Sequence, residues 1–173
     1  MRLIKVFLTG LIGLFIIITL LSLLLPSEIK VSRAVVINAS HDKIVSQLND
    51  LKNWKNWEPM FASDSVAIHF SEPSNVINSV ADITYKEKQA HVTINSMDSS
   101  SVKFLLQAKG ENDIANEISV TTLDNNKGQL VEWKALTKLH WYPWDKLYGI
   151  FIDRLTGPGY EDALDHLKSF VER

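Results

Sequence analysis

Between residues 64 and 139 six short segments alternate apolar and polar side chains, with only a few residues between them. They read DSVAIHF, SVADITYKEK, HVTINSM, SVKFLLQAK, IANEISVTTLD and QLVEWKALTKL. The pieces between them, 72–75, 88–89, 98–101, 110–113 and 125–128, are turn-like. Connections this short join antiparallel neighbours, so the pattern predicts a meander of strands. In the fourth segment Val102, Phe104, Leu106 and Ala108 share a face; in the sixth, Val131, Trp133, Ala135, Thr137 and Leu139 do. Residues 29–38, rich in β-branched side chains, predict a further strand ahead of the six.

Beyond the meander the chain has a helical period. Leu147, Ile150, Phe151 and Leu155 recur at helical spacing, as do Tyr160, Ala163, Leu164, Leu167, Phe170 and Val171. Pro143 suits the first turn, and Gly157-Pro158-Gly159 should kink or break the helix. A long helix with an apolar stripe has to bury it, and the sheet is the surface on offer. The expected class is therefore α+β: a seven-stranded, curved antiparallel sheet around a long C-terminal helix. Two short helices should link the first strand to the meander. Ser40 is a plausible N-cap for the first, which carries Ile44, Val45, Leu48 and Leu51, and the second covers about 52–58, before Pro59.

The N-terminal part sets the expected compartment. Residues 6–25 contain no charge, and at 1.5 Å per residue such a helix spans about 30 Å, the thickness of a hydrocarbon core. Arg2 and Lys5 precede it and predict a cytoplasmic N-terminus, with the rest of the chain on the periplasmic or extracellular side. A signal peptide has a shorter apolar run and a small-x-small site, whereas this run ends in Leu-Leu-Leu-Pro. An uncleaved anchor over 1–25 and one domain over 26–173 is the expected division. Because Ser27 and Glu28 alone separate Pro26 from the first strand residues, that domain should sit against the bilayer. Beyond Arg2 and Lys5 the charge falls to about −4, from 16 basic and 20 acidic residues, which disfavours nucleic acid as a partner. The absence of cysteine removes disulfides, thiolate nucleophiles and Cys metal sites.

The segment VSRAVVINASHDKIVSQLNDLKNWKNWEPM resembles the opening of the START-like, polyketide cyclase/dehydrase-like (SRPBCC) helix-grip superfamily. There a strand leads into two helices ending in Asn-Trp-x-x-Trp-x-Pro, matched by Asn53, Trp54, Trp57 and Pro59. GIFIDRLTGPGYEDALDHLKSF is similar to the closing helix of membrane-anchored bacterial members. The resemblance covers about residues 29–172. It implies a sheet gripping the helix around a hydrophobic cavity that holds lipids, sterols, polyketides or other apolar molecules; a minority of members catalyse reactions there. No catalytic signature of the enzymatic branches is recognisable in this chain.

Candidate cavity residues are the aromatic and large apolar ones on the presumed inner side. Trp54, Trp57, Met60 and Phe61 could line a ligand mouth or cap the core. Phe104, Leu106, Trp133, Trp141, Trp144, Tyr148, Phe151 and Ile152 divide in the same way between core and cavity. Asn116 and Thr137 share faces with apolar residues and are candidate polar anchors, while Glu132 should point to the opposite face. His41, His69, His91, His140 and His166 show no ligand spacing, so no metal or cofactor is expected. No G-x-S-x-G occurs, and Ser99-Ser100-Ser101 reads as a turn.

Three functions fit these observations: a membrane-tethered module binding a small hydrophobic or lipid-like molecule; an enzyme using polar groups such as Asn116, Tyr85 or His140; or an envelope domain that binds a protein partner.

Overall fold

The computed structural model describes residues 2–124 and 127–173. Asn125 and Asn126, half of the turn expected at 125–128, lie outside the described residues. An apolar helix, α1 (Arg2–Ser22), leads into strand β1 (Glu28–Ile37). Next come α2 (His41–Leu48), a 3₁₀ helix (Leu51–Asn56) and the single turn α3 (Pro59–Ala62). Six strands come after them: β2 (Ala67–Phe70), β3 (Val80–Tyr85), β4 (Lys88–Met97), β5 (Ser101–Ala108), β6 (Ile114–Thr122) and β7 (Gln129–Lys138). The chain closes with α4 (Pro143–Gly149) and α5 (Ile152–Val171).

All seven strands form one antiparallel sheet in the order β1-β7-β6-β5-β4-β3-β2. Among the described residues the only non-sequential neighbours are β1 and β7, so the linker of three short helices spans the sheet from one edge to the other. The curved sheet packs one face on α5, whose Ala163, Leu164, Leu167 and Val171 are buried, as the helical period predicts.

Three local features differ from the sequence expectation. The β3–β4 turn is Lys86-Glu87, with Lys86 at φ 54°, so Lys88 and Gln89 are strand residues paired with Tyr85 and Thr84. Pro59 does not merely end a helix: the 3₁₀ helix stops at Asn56, and Pro59 opens α3 at its first position, where a missing N–H costs nothing. The C-terminal helix breaks at Ile150 and Phe151, and Pro158 lies inside α5. Pro158 is exposed and removes a single helical bond, whereas the break comes where the buried Gly149 packs on Leu139 with no room for a Cβ.

The Trp-rich segment is fixed by polar as well as apolar contacts. A helix leaves its last carbonyls without partners. On α2 these are taken by Asn53 Nδ2 donating to Ser46 O (2.8 Å), Trp54 Nε1 to Leu48 O (3.0 Å) and Trp57 Nε1 to Gln47 O (3.4 Å). The three side chains therefore cap α2, and the two indole rings enter the core. Trp54 stacks edge-on against Phe104 with centroids 4.7 Å apart, and Trp57 lies 5.5 Å from Trp54.

Candidate ligand site between sheet and helix

Two half-open hollows lie between the sheet and α5. The central one, of about 370 Å³, has walls from Trp54, Phe61, Val92, Phe104, Leu106 and Trp133, with Met60 and Pro59 of α3 at its rim. Its polar groups are few. Asn116 Oδ1 accepts from Trp133 Nε1 at 3.0 Å, and Asn116 Nδ2 donates to Ile114 O at 3.0 Å, so the amide is satisfied within the wall. Glu58 and Asp162 stand at the edge. Burial pushes the Glu58 carboxyl above its ordinary value, and the N–H groups of Phe61 and Met60 offset this only in part.

The second hollow, of about 380 Å³, lies toward the end of the sheet where α1 meets the fold. It is lined by Val31, Ala135, Thr137 and Ile152, by His140 and Tyr142, and by Trp144, Asp145 and Tyr148 of α4. Asp145, 9% exposed, is its most heavily bonded group. It accepts from the His140 N–H (2.6 Å), His140 Nδ1 (3.0 Å) and Asn112 Nδ2 (2.9 Å). Burial opposes the Asp145 charge, yet these hydrogen bonds together hold the carboxyl below its ordinary value. Ile114, Thr156 and Tyr160 border both hollows. The Tyr160 ring packs 4.9 Å from Trp133, and burial raises its phenol. Among the described residues no Lys or Arg lines either hollow.

The candidate residues from the sequence separate into three groups. Trp54, Met60, Phe61, Phe104, Leu106 and Trp133 meet around the central hollow, and Tyr148 and Ile152 around the one on the α1 side. Trp57 is 1% exposed, packed in the core beside Trp133, and borders neither hollow. Trp141 and Phe151 also border neither, because they face outward at 64% and 52% exposure. Asn116 and Thr137 do lie in the walls, and Glu132 turns to the other face, where it bonds Ser32 and Lys134. Tyr85 is exposed beside the β3–β4 turn. His91 pairs with Asp82, and His166 lies 3.9 Å from Asp162, four residues earlier on α5. Among the described residues no three His, Asp or Glu side chains converge as metal ligands.

Tyr160 and Asp145 escaped the sequence reading as site residues. Tyr160 was legible only as one apolar position in a helical stripe. Asp145 comes directly after Trp144, and nothing in the spacing signals that it turns inward.

Solved structures share this architecture. A Staphylococcus aureus protein of unknown function, SA2116, superposes with a TM-score of 0.66 at 11% identity, over 84% of this chain and 94% of that one. The di-domain ARO/CYC StfQ of the steffimycin biosynthetic pathway matches at 0.61 and 12% identity, over 84% of this chain and 51% of its own. CalU16 from Micromonospora echinospora matches at 0.54 and 16%, over 83% and 75%. This is a helix-grip fold. Identities so low carry the fold and nothing finer. No protein-family model matches the chain, and no curated protein matches it in sequence.

Proposed function

We propose that this protein is a membrane-tethered, START-like binding module that holds a small apolar molecule between its sheet and α5. The observation that carries the reading is the central hollow. Protein interiors are packed with few voids larger than a water molecule, and spaces of about 300–1,000 Å³ with apolar walls are the usual form of small-molecule sites. The guest is not an anionic one. A carboxylate or phosphate head group would find no Lys or Arg among the described lining residues and would meet Glu58, Asp162, Glu111 and Asp145 instead. The tether is α1, 21 residues long, in which an 18-residue window has mean hydropathy 2.5 and is not buried in the fold, which fits a bilayer span with a cytoplasmic N-terminus.

The test is native mass spectrometry and solvent extraction of the purified full chain. Neutral lipid or another uncharged apolar species should co-purify. Leu106→Trp, which fills the central hollow, should abolish that co-purification without unfolding the protein. Recovery of the same species with the hollow filled, or of none from the wild-type chain, would overturn the proposal.

A second reading rests on His140 and Asp145. Two titratable side chains within hydrogen-bond reach in a hollow are the minimum for general acid–base work. With Nδ1 bonded to Asp145, the neutral imidazole presents Nε2 as the base. An enzyme of the polyketide cyclase/dehydrase-like type would use this pair on an apolar substrate. Turnover of poly-β-ketone analogues that is lost in His140→Gln would favour it over simple binding.

A further inference from the structure

Helix α4 is built inside out. Its charged residues are turned inward: Asp145 is 9% exposed and Lys146 3%. Its large apolar residues are turned outward: Trp144 is 62% exposed, Leu147 48% and Tyr148 48%. The flanks continue the pattern, with Trp141 at 64%, Ile150 at 56% and Leu155 at 61%. A helix on a water-facing surface shows the reverse arrangement, and an apolar patch of this extent marks a surface with an apolar neighbour.

The position of α4 says which neighbour. Lys146 Nζ donates to Pro26 O (3.2 Å) and to Ser27 Oγ (2.6 Å), and the Leu139 N–H donates to Ser27 O (2.8 Å). These are the residues by which the chain leaves α1, and α1 itself packs against α4. Leu23 and Leu24, between them, are 56% and 83% exposed. Exposed apolar residues at the end of α1 and on α4 thus meet where the two helices pack together. Trp and Tyr are the residues that settle at the boundary between head groups and acyl chains.

We infer that α4 and its flanks lie in the interfacial layer of the bilayer that α1 crosses, held there by Lys146, and that the anchor-side hollow faces lipid. This rests on the reading of α1 as a span. Because Trp144 and Tyr148 also line that hollow, the docked helix forms a wall between the acyl region and the interior of the fold. The exposed residues that make up the patch are apolar, so apolar burial drives the docking, and a zwitterionic bilayer suffices.

The experiment uses the full chain reconstituted in phosphatidylcholine vesicles with and without brominated acyl chains. Brominated lipid should quench the emission of Trp141 and Trp144, taken as the difference between the wild type and the Trp141→Phe/Trp144→Phe variant. Leu147→Ser/Phe151→Ser, at exposed positions, should reduce that quenching while the chain still resists alkaline extraction. Lys146→Met should do the same. If the chain resists extraction but Trp141 and Trp144 are quenched by aqueous iodide and not by bromine, the inference is overturned and the span stands. Shielding of both tryptophans from both quenchers by a cross-linkable protein would overturn it equally. If alkaline washing strips the chain from the vesicles, the span reading fails and takes this inference with it.

Discussion

Gly157 of α5 lies over the guanidinium of Arg33 on β1, so close that a Cβ there would overlap it. Asp153 and Glu161, one turn to either side, flank the same group: Arg33 Nη1 donates to Asp153 Oδ1 at 3.0 Å, and Glu161 lies 4.0 Å from Nε. Helix and edge strand are thus joined through a charged side chain that fits only because the helix has no side chain at that point.

The first prediction concerns this contact. In the wild-type chain Gly157→Ala gains up to about 1 kcal/mol of helix propensity but has to push the Arg33 guanidinium away from Asp153 and Glu161, so the net gain should be smaller. With Arg33→Ala in place the obstruction is gone, and the same substitution should stabilise by about 1 kcal/mol. A double-mutant cycle in urea reads the difference. Equal effects in both backgrounds would show that the contact is not what requires a glycine.

The Trp133–Asn116 bond supports a wall of the central hollow. Asn116→Ala strands a buried indole N–H and should cost about 1–3 kcal/mol, and Trp133→Phe strands the amide oxygen at similar cost. Replacing both, as Asn116→Ala/Trp133→Phe, should cost clearly less than the sum, because neither partner of that bond is left orphaned. Strict additivity in denaturant titrations would rule out a stabilising role for the bond.

The capping of α2 ranks its tryptophans. Trp54 donates at 3.0 Å and Trp57 at 3.4 Å, and Trp54 also contacts Phe61 and Phe104. Trp54→Phe should therefore destabilise by about 1–3 kcal/mol and more than Trp57→Phe does. Amide exchange in α2 should accelerate most for the former, and the opposite order would contradict the capping role.

Two carboxyls give pH dependence of opposite sign. Asp145 is held below its ordinary 3.8, so its stabilisation is present above 3.8 and is lost as pH falls through the folded-state value. Asp145→Asn should flatten that acid limb. Glu58 is raised above its ordinary 4.5, so its contribution is complete below 4.5 and is lost as pH rises past it. Glu58→Gln keeps an acceptor for the Phe61 N–H and should be more stable, relative to wild type, at pH 7 than at pH 4. Urea midpoints at the two values test the sign, and a gap that is the same at both would refute it.

Strand number and facing were legible because each strand buries one side, which period two records directly. Asn116, Thr137 and Glu132 could be assigned to faces for the same reason. The pairing of β1 with β7 was not legible, because it joins segments about 100 residues apart. The stripe Leu147, Ile150, Phe151 and Leu155 was legible as a stripe, yet it faces outward in contrast to the buried Ala163, Leu164 and Leu167. Periodicity records that a helix has an apolar side, not what covers it. The break at Ile150 and Phe151 was hidden because neither residue is a helix breaker; it falls directly after Gly149, which packs on the distant Leu139. The hollows were beyond reach for a related reason: a cavity is the absence of side chains contributed by many elements, and no single segment encodes it.

One ring borders both hollows. Tyr160 stands between them with Ile114 and Thr156, and its ring is propped against Trp133. A short guest can occupy either room and leave that ring in place. Under the proposed binding role, an elongated guest reaching from the α4 side to the tryptophans would have to pass this group, which would make the partition between the two rooms a gauge of length.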